Sequence, residues 1–139
     1  MTLKYHTRRD YMKIIGKNPI TGLDYPDPDV IRVDDTYYMV STTMHFVPGC
    51  EILRSYDLVH WEHLSYVYER LDSTEEQRLV GEKNCYGKGM WAASLRYHKG
   101  MYYICFVAND TGKTYLYIAD NIEGPWEKRI IEGFYHDCS

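Results

Sequence analysis

The chain has 139 residues, of which 45% are hydrophobic and 26% are charged, and its formal net charge is −4 at pH 7. This acidic balance weighs against a nucleic acid or a membrane as the binding partner, because both require a basic surface. The four cysteines lack the spacing of a metal-binding finger, and no apolar run has the length of a signal peptide or a membrane span. We therefore expect a cytoplasmic protein with reduced thiols and no metal site.

The aromatic content indicates a fold built from strands. Fifteen tyrosines and three tryptophans stand against three phenylalanines, so most of the large side chains carry a polar group. Such residues suit half-buried strands and surfaces that stack on sugars or bases. Helical periodicity is weak except over residues 72–79, where Ser73-Thr74-Glu75-Glu76 is suited to cap one short turn.

An internal repeat organises the chain. Residues 31–40 are typical of a strand, a tight turn at Asp34-Asp35 and a Tyr-rich strand. Residues 55–61 follow as a short connection that ends in tryptophan. After a charged segment, residues 95–104 repeat the hairpin at an offset of 64, and residues 119–126 repeat the connection with one residue inserted. Each unit holds about four short strands, which is the content of one blade of a β-propeller.

The repeat predicts an all-β chain. Blade 1 is expected at about residues 24–70 and blade 2 at about residues 89–133, and residues 134–139 resemble the start of a third unit. A closed propeller needs roughly four or more blades, so the sequence is interpreted as truncated. The alternative is a two-sheet β-sandwich that is complete in itself. The abrupt end, with no closing strand, argues against that alternative.

Five motifs occur in register along the chain. The first runs over residues 18–31 and contains Pro26-Asp27-Pro28. The next four are Tyr37-Tyr38, the loop at residues 42–49, residues 54–61 and Met90-Trp91-Ala92, and His136-Asp137 follows them at the end. Together these motifs resemble family 43 glycoside hydrolases, which include β-xylosidases, α-L-arabinofuranosidases and arabinanases. The resemblance implies a five-bladed β-propeller, of which this chain supplies blades 1 and 2 and the start of blade 3.

The same resemblance implies an inverting glycosidase that hydrolyses O-glycosyl bonds and releases xylose or arabinose from plant cell-wall oligosaccharides. Inversion needs one carboxylate to activate water and one carboxylic acid to protonate the leaving oxygen. By its place in Pro26-Asp27-Pro28, the resemblance implies that Asp27 is the general base, and the flanking prolines would fix the backbone and remove competing N–H donors. The alternative is an aspartate that only belongs to a Pro-Asp turn. Asp137 matches the acidic residue that holds the substrate and raises the pKa of the acid by like-charge proximity. Cys138 stands where the family usually has proline.

The resemblance implies that the general acid is a glutamate of a later blade, and no glutamate of this chain lies in a matching motif. The 139-residue chain alone is therefore expected to be inactive. The glutamates of the connection between the blades are interpreted as solvated loop charges.

Sugar binding is implied for four residues. By the resemblance, Met44, His45 and Phe46 lie near the pocket, and Trp91 walls the subsite of the released sugar. An aromatic face suits the apolar C–H face of a pyranose or furanose. The alternatives are a loop histidine without a ligand for His45 and a core tryptophan for Trp91. The two remaining tryptophans recur once per unit and are interpreted as packing residues.

No cofactor is implied, and a structural calcium ion of the parent propeller would have its ligands outside this chain. The expected partners are a xylo- or arabino-oligosaccharide and the remaining blades, with self-association as the substitute for those blades. Two other function classes stay open. One is a non-catalytic carbohydrate-binding or structural β fragment. The other is a fructan-cleaving five-bladed propeller hydrolase, whose aspartate normally follows asparagine, unlike Tyr25-Pro26-Asp27.

Overall fold

The computed structural model describes residues 16–138, and every regular element within them is a β-strand. One antiparallel sheet has the order β1-β2-β3-β4 and consists of β1 (Asp29–Val33), β2 (Thr36–Val40), β3 (Gly49–Ser55) and β4 (Glu62–Tyr68). A second antiparallel sheet has the order β5-β6-β7-β8 and consists of β5 (Met90–His98), β6 (Met101–Ala108), β7 (Lys113–Ala119) and β8 (Glu127–Ile131). The expectation of an all-β chain is confirmed. The blade boundaries stay a prediction.

The first hairpins of the two sheets are equivalent with a step of 65 residues, one more than the sequence alignment predicted. Val33 pairs with Thr36 across the first turn, and His98 pairs with Met101 across the second. The offset of 64 was wrong in this part of the repeat, because the two turns, Asp34-Asp35 and Lys99-Gly100, lie 65 residues apart. A β-bulge lies farther upstream in β5, where the register shifts between Trp91 and Ser94.

The two sheets pack against each other around one hydrophobic core. Alternate residues of β3, β6 and β7 point into this core, as expected for sheets that are buried on one face. The first sheet supplies Val40, Cys50, Ile52 and Val67, and the second supplies Leu95, Ile104, Phe106, Tyr115 and Tyr117. Trp126 packs against the same cluster, in agreement with its interpretation as a packing residue. Trp61 instead lies on the outer side of the first sheet, where its Nε1 donates to the Leu58 carbonyl at 3.2 Å.

The connection between the sheets spans residues 69–89 and has no strand. Residues 75–79 form hydrogen-bonded turns, and the Thr74 hydroxyl accepts a hydrogen bond from the Gln77 N–H at 3.2 Å, the capping that the sequence predicted. The connection ends at Gly89, where φ is 91° and a Cβ atom would collide with the Met44 carbonyl. Glycine is therefore required at this close approach. Within residues 16–138, no helix is both long enough and apolar enough to cross a membrane.

Candidate active site

The backbone at Asp27 is held in an unusual conformation just before β1. Its φ is 50°, in the left-handed region that residues other than glycine rarely adopt. The carbonyl of Pro26 accepts one hydrogen bond from the Ser41 hydroxyl and another from the Thr42 N–H at 3.0 Å. On the other side, the ring of Pro28 restricts the backbone. The backbone conformation of Asp27 is therefore held both by the two prolines and by Ser41 and Thr42, which follow β2.

The carboxylate of Asp27 is bound on one side only. Its Oδ2 atom accepts a hydrogen bond from the Thr42 hydroxyl at 2.9 Å. No donor among residues 16–138 contacts its Oδ1 atom, and that oxygen is therefore able to accept a proton. A carboxylate that is oriented through one oxygen and open at the other has the arrangement required of a general base.

Asp27 and Asp137 line the same cavity, which has a volume of about 220 Å³. The other lining residues come from the starts of β1 and β5 and are Pro28, Asp29, Ala92, Ala93 and Ser94. Asp137 also has a left-handed backbone, with φ of 52°. The structure thus brings together the two acidic residues that the sequence singled out. Two carboxylates at one cavity can activate water and hold a neighbouring acid protonated, although the role of each stays a prediction.

Asp29 also lines this cavity, and the sequence reasoning assigned it no role. Its Oδ2 atom accepts hydrogen bonds from the Leu95 N–H at 2.7 Å and from the Arg96 guanidinium at 2.6 Å. The carboxylate therefore links β1 to β5 across the cavity floor. The only signal in the sequence was an acidic residue directly after Pro28. The partners of Asp29 lie more than sixty residues away along the chain.

Trp91 does not line the cavity that contains Asp27. The step of 65 residues makes Ala92 the counterpart of Asp27, and Ala92 has the same left-handed backbone, with φ of 44°. The offset of 64 taken from the sequence makes Trp91 the counterpart of Asp27, which is wrong by one residue. Trp91 pairs with Val107 and its side chain is 40% exposed, so it is not a core tryptophan. Trp91 directly precedes Ala92, which lines the cavity, and part of the tryptophan is accessible to solvent.

Met44, His45 and Phe46 lie on the other side of Thr42. Met44 joins the two sheets, since its N–H donates to the Met90 carbonyl at 2.9 Å and its carbonyl accepts from the Met90 N–H at 3.0 Å. Met44 and Phe46 line a groove of about 320 Å³ that also includes Thr42. Thr42 therefore lies between this groove and Asp27, whereas His45 lines neither this groove nor the Asp27 cavity.

The structure adds Tyr86 to the aromatic residues of this loop. The rings of His45 and Phe46 stack at a centroid distance of 4.4 Å, and Tyr86 approaches His45 edge-on at 5.2 Å. Nδ1 of His45 accepts a hydrogen bond from the Gly87 N–H at 3.2 Å. Phe46 and Tyr86 are more than 60% exposed, so this cluster presents apolar ring surface to solvent. Tyr86 was missed because the charged connection that carries it has no motif.

Within residues 16–138, no group of three or more histidine, cysteine, aspartate or glutamate side chains is arranged to hold a metal ion.

Comparisons with known proteins find a family and several relatives of this chain. The family model for glycosyl hydrolases family 43 matches residues 16–134. The chain is 38% identical over 114 residues to a beta-xylosidase of Formosa agariphila, and this match covers 82% of the chain and 19% of that protein. It is 35% identical over 125 residues to a non-reducing end alpha-L-arabinofuranosidase of Bacteroides ovatus, with 86% of the chain and 22% of that protein covered.

A solved structure shows the same fold. It is described as a bifunctional GH43-CE protein from Bacteroides eggerthii, is 47% identical to this chain and superposes with a TM-score of 0.84. The match covers 88% of this chain and 16% of that one. The chain thus spans about a fifth of the length of the curated relatives that it matches.

Proposed function

This chain belongs to glycosyl hydrolases family 43, and we propose that it is the N-terminal part of an inverting glycosidase that releases xylose or arabinose from plant cell-wall oligosaccharides. One observation carries the proposal: Asp27 and Asp137 line the same cavity. The named relatives support the substrate class, since one is a beta-xylosidase and another an alpha-L-arabinofuranosidase.

In the proposed mechanism, Asp27 is the general base. Its Oδ1 atom takes a proton from a water molecule while the water oxygen attacks the anomeric carbon of the sugar. A carboxylic acid on the opposite face protonates the leaving oxygen, at a typical separation of about 6.5–9.5 Å from the base. Asp137 acts on that acid through its negative charge, which favours the protonated form of a neighbouring carboxyl group.

The general acid is proposed to come from a part of the enzyme outside residues 1–139. The two sheets would then be blades 1 and 2 of a five-bladed propeller, with residues 134–139 at the start of blade 3. On this proposal the 139-residue chain binds neither a complete substrate nor a cofactor by itself and does not turn over. The full set of blades completes the site.

The experiment that tests the function uses the complete enzyme that contains this chain. We expect it to release nitrophenol from 4-nitrophenyl β-D-xylopyranoside or 4-nitrophenyl α-L-arabinofuranoside. Proton NMR of the first product should show the inverted anomer, because water attacks directly in a single displacement. Absence of turnover on both substrates would contradict the proposal. Retention of configuration would contradict the inverting mechanism and favour the fructan-cleaving class of propeller.

A further inference from the structure

The hydroxyl group of Thr42 connects Asp27 to the second sheet. It donates to Asp27 Oδ2 at 2.9 Å and accepts from the Ala92 N–H at 2.7 Å. The direction of these bonds is fixed by chemistry, since a backbone N–H can only donate and a hydroxyl has one proton. The single proton of Thr42 is therefore directed to the carboxylate of Asp27.

Thr42 holds Asp27 at two points. Its hydroxyl binds the carboxylate, and its N–H binds the carbonyl of Pro26, the residue that precedes Asp27. Thr42 is only 9% exposed, so water has little access to replace the hydroxyl. Its β-branched side chain has few rotamers, which keeps the donor in one place. Together these contacts orient Oδ2 and leave Oδ1 for the attacking water.

The same hydroxyl also holds the backbone next to Trp91, the residue proposed to contact the sugar. Ala92 has a left-handed backbone, lines the cavity and directly follows Trp91. Its N–H is bound by Thr42 rather than by a partner in the β5–β6 ladder, because the register shifts between Trp91 and Ser94. A displacement of Thr42 would therefore move the carboxylate and the backbone next to Trp91 together.

We infer that Thr42 is a positioning residue for the proposed hydrolysis: it fixes the carboxylate of Asp27 and sets its distance from the strand that carries Trp91. The inference rests on the proposed function, in which Asp27 is the general base. Thr42 itself does not exchange a proton with the substrate. Its effect is on the fraction of bound complexes in which the water and Asp27 Oδ1 are aligned for attack.

The test replaces Thr42 by valine in the complete enzyme, since valine has the same shape without the hydroxyl. We expect Thr42→Val to lower kcat about 10- to 100-fold on a nitrophenyl pentoside. KM should stay within about threefold of the wild-type value, because both hydrogen bonds of the hydroxyl are made to protein groups, Asp27 and Ala92. Thr42→Ser keeps the hydroxyl and should recover most of kcat. Thr42→Ala removes the same hydroxyl, and its kcat is measured instead if the valine variant is insoluble.

Thr111→Val is the matched control. The Thr111 hydroxyl also makes a partly buried hydrogen bond, with the Tyr115 hydroxyl at 2.8 Å, but Thr111 does not line the cavity. It should lower thermal stability and leave kcat unchanged. A kcat for Thr42→Val within about twofold of wild type would overturn the inference. A kcat for Thr42→Ser no higher than that of Thr42→Val would overturn it as well. If the wild-type enzyme has no turnover, the proposed function is wrong and the inference fails with it.

Discussion

Asp27, Ala92 and Asp137 share a left-handed backbone conformation, with φ of 50°, 44° and 52°, and all three line one cavity. Each such residue other than glycine costs about 1–2 kcal/mol of conformational energy. The surrounding hydrogen bonds compensate for this cost, as those of Ser41 and Thr42 do at Asp27. Strained residues that gather at one cavity are typical of a functional site.

Trp91 provides the prediction at the scale of a single residue. Trp91 is 40% exposed and directly precedes Ala92, which lines the cavity, so we expect it to stack on the sugar. Trp91→Ala in the complete enzyme should raise KM for a nitrophenyl pentoside about tenfold, because an aromatic contact contributes about 1–1.5 kcal/mol. Trp91→Phe should retain part of the affinity. Steady-state kinetics measure both, and an unchanged KM for Trp91→Ala would exclude the stacking role.

At the scale of the strands, Asp72 ties the connection between the sheets to β7 and β8. Its carboxylate accepts hydrogen bonds from Lys113 at 2.7 Å, from the Tyr115 hydroxyl at 2.8 Å and from Lys128 at 3.0 Å. Burial alone would raise the pKa of Asp72, but these hydrogen bonds outweigh it and lower the pKa to about 2. The charged form is therefore the one that stabilises the fold.

This pKa predicts how stability depends on pH. Asp72→Asn should lower the free energy of unfolding by about 2 kcal/mol at pH 7, since each unit of pKa shift corresponds to about 1.4 kcal/mol. The contribution is complete above the unfolded pKa of about 3.9 and is lost as the pH falls toward the folded pKa of about 2. The difference in melting temperature between wild type and variant should therefore shrink between pH 5 and pH 3.

Calorimetry at several pH values measures this difference. Asp35→Asn is the control, because Asp35 is fully exposed and pairs only with Arg32, at 3.1 Å. That variant should melt like wild type at every pH. A stability difference for Asp72→Asn that does not change with pH would mean that the carboxylate charge is not what stabilises the connection.

For the whole molecule, the decisive feature is the outer face of the first sheet, which no other strand within residues 16–138 covers. A groove of about 450 Å³ lies there, lined by Ile20, Thr21, Leu23, Tyr25, Pro28, Val30, Met39, Leu58 and Trp61. Several of these apolar side chains are more than 40% exposed. Contiguous apolar surface of several hundred Å² usually has a partner, because burying it yields roughly 25 cal/mol per Å².

The isolated 139-residue chain should therefore self-associate. Size-exclusion chromatography with light scattering should give a mass above the 16.5 kDa of one chain. The double variant Val30→Lys, Leu58→Lys places charges on this face and should shift the population toward the monomer. A monomeric wild-type chain that unfolds cooperatively would show that the two sheets are a complete domain, as the β-sandwich alternative states.

The sequence allowed the all-β fold, the two hairpins and the acidic pair to be predicted, because alternation, turns and motifs are local patterns. Asp27 and Asp137 were identified from motifs, and the structure brings them to one cavity. The equivalence of Ala92 with Asp27 was missed because the repeat was aligned at an offset of 64, one residue out of step with the paired hairpins. Asp29, Asp72 and Thr42 were missed because their partners lie far along the chain, where only the folded structure reveals the contact.

The central claim is that Asp27 is the general base, and azide rescue of Asp27→Ala in the complete enzyme tests it most directly. Removal of a general base typically lowers kcat by about 10²–10⁴-fold. Azide needs no base, so it should attack the anomeric carbon in place of water, expel nitrophenolate and restore turnover. The account predicts a glycosyl azide of inverted configuration from a nitrophenyl β-xyloside. A variant that keeps more than about a tenth of the wild-type kcat, or an azide product of retained configuration, would contradict it.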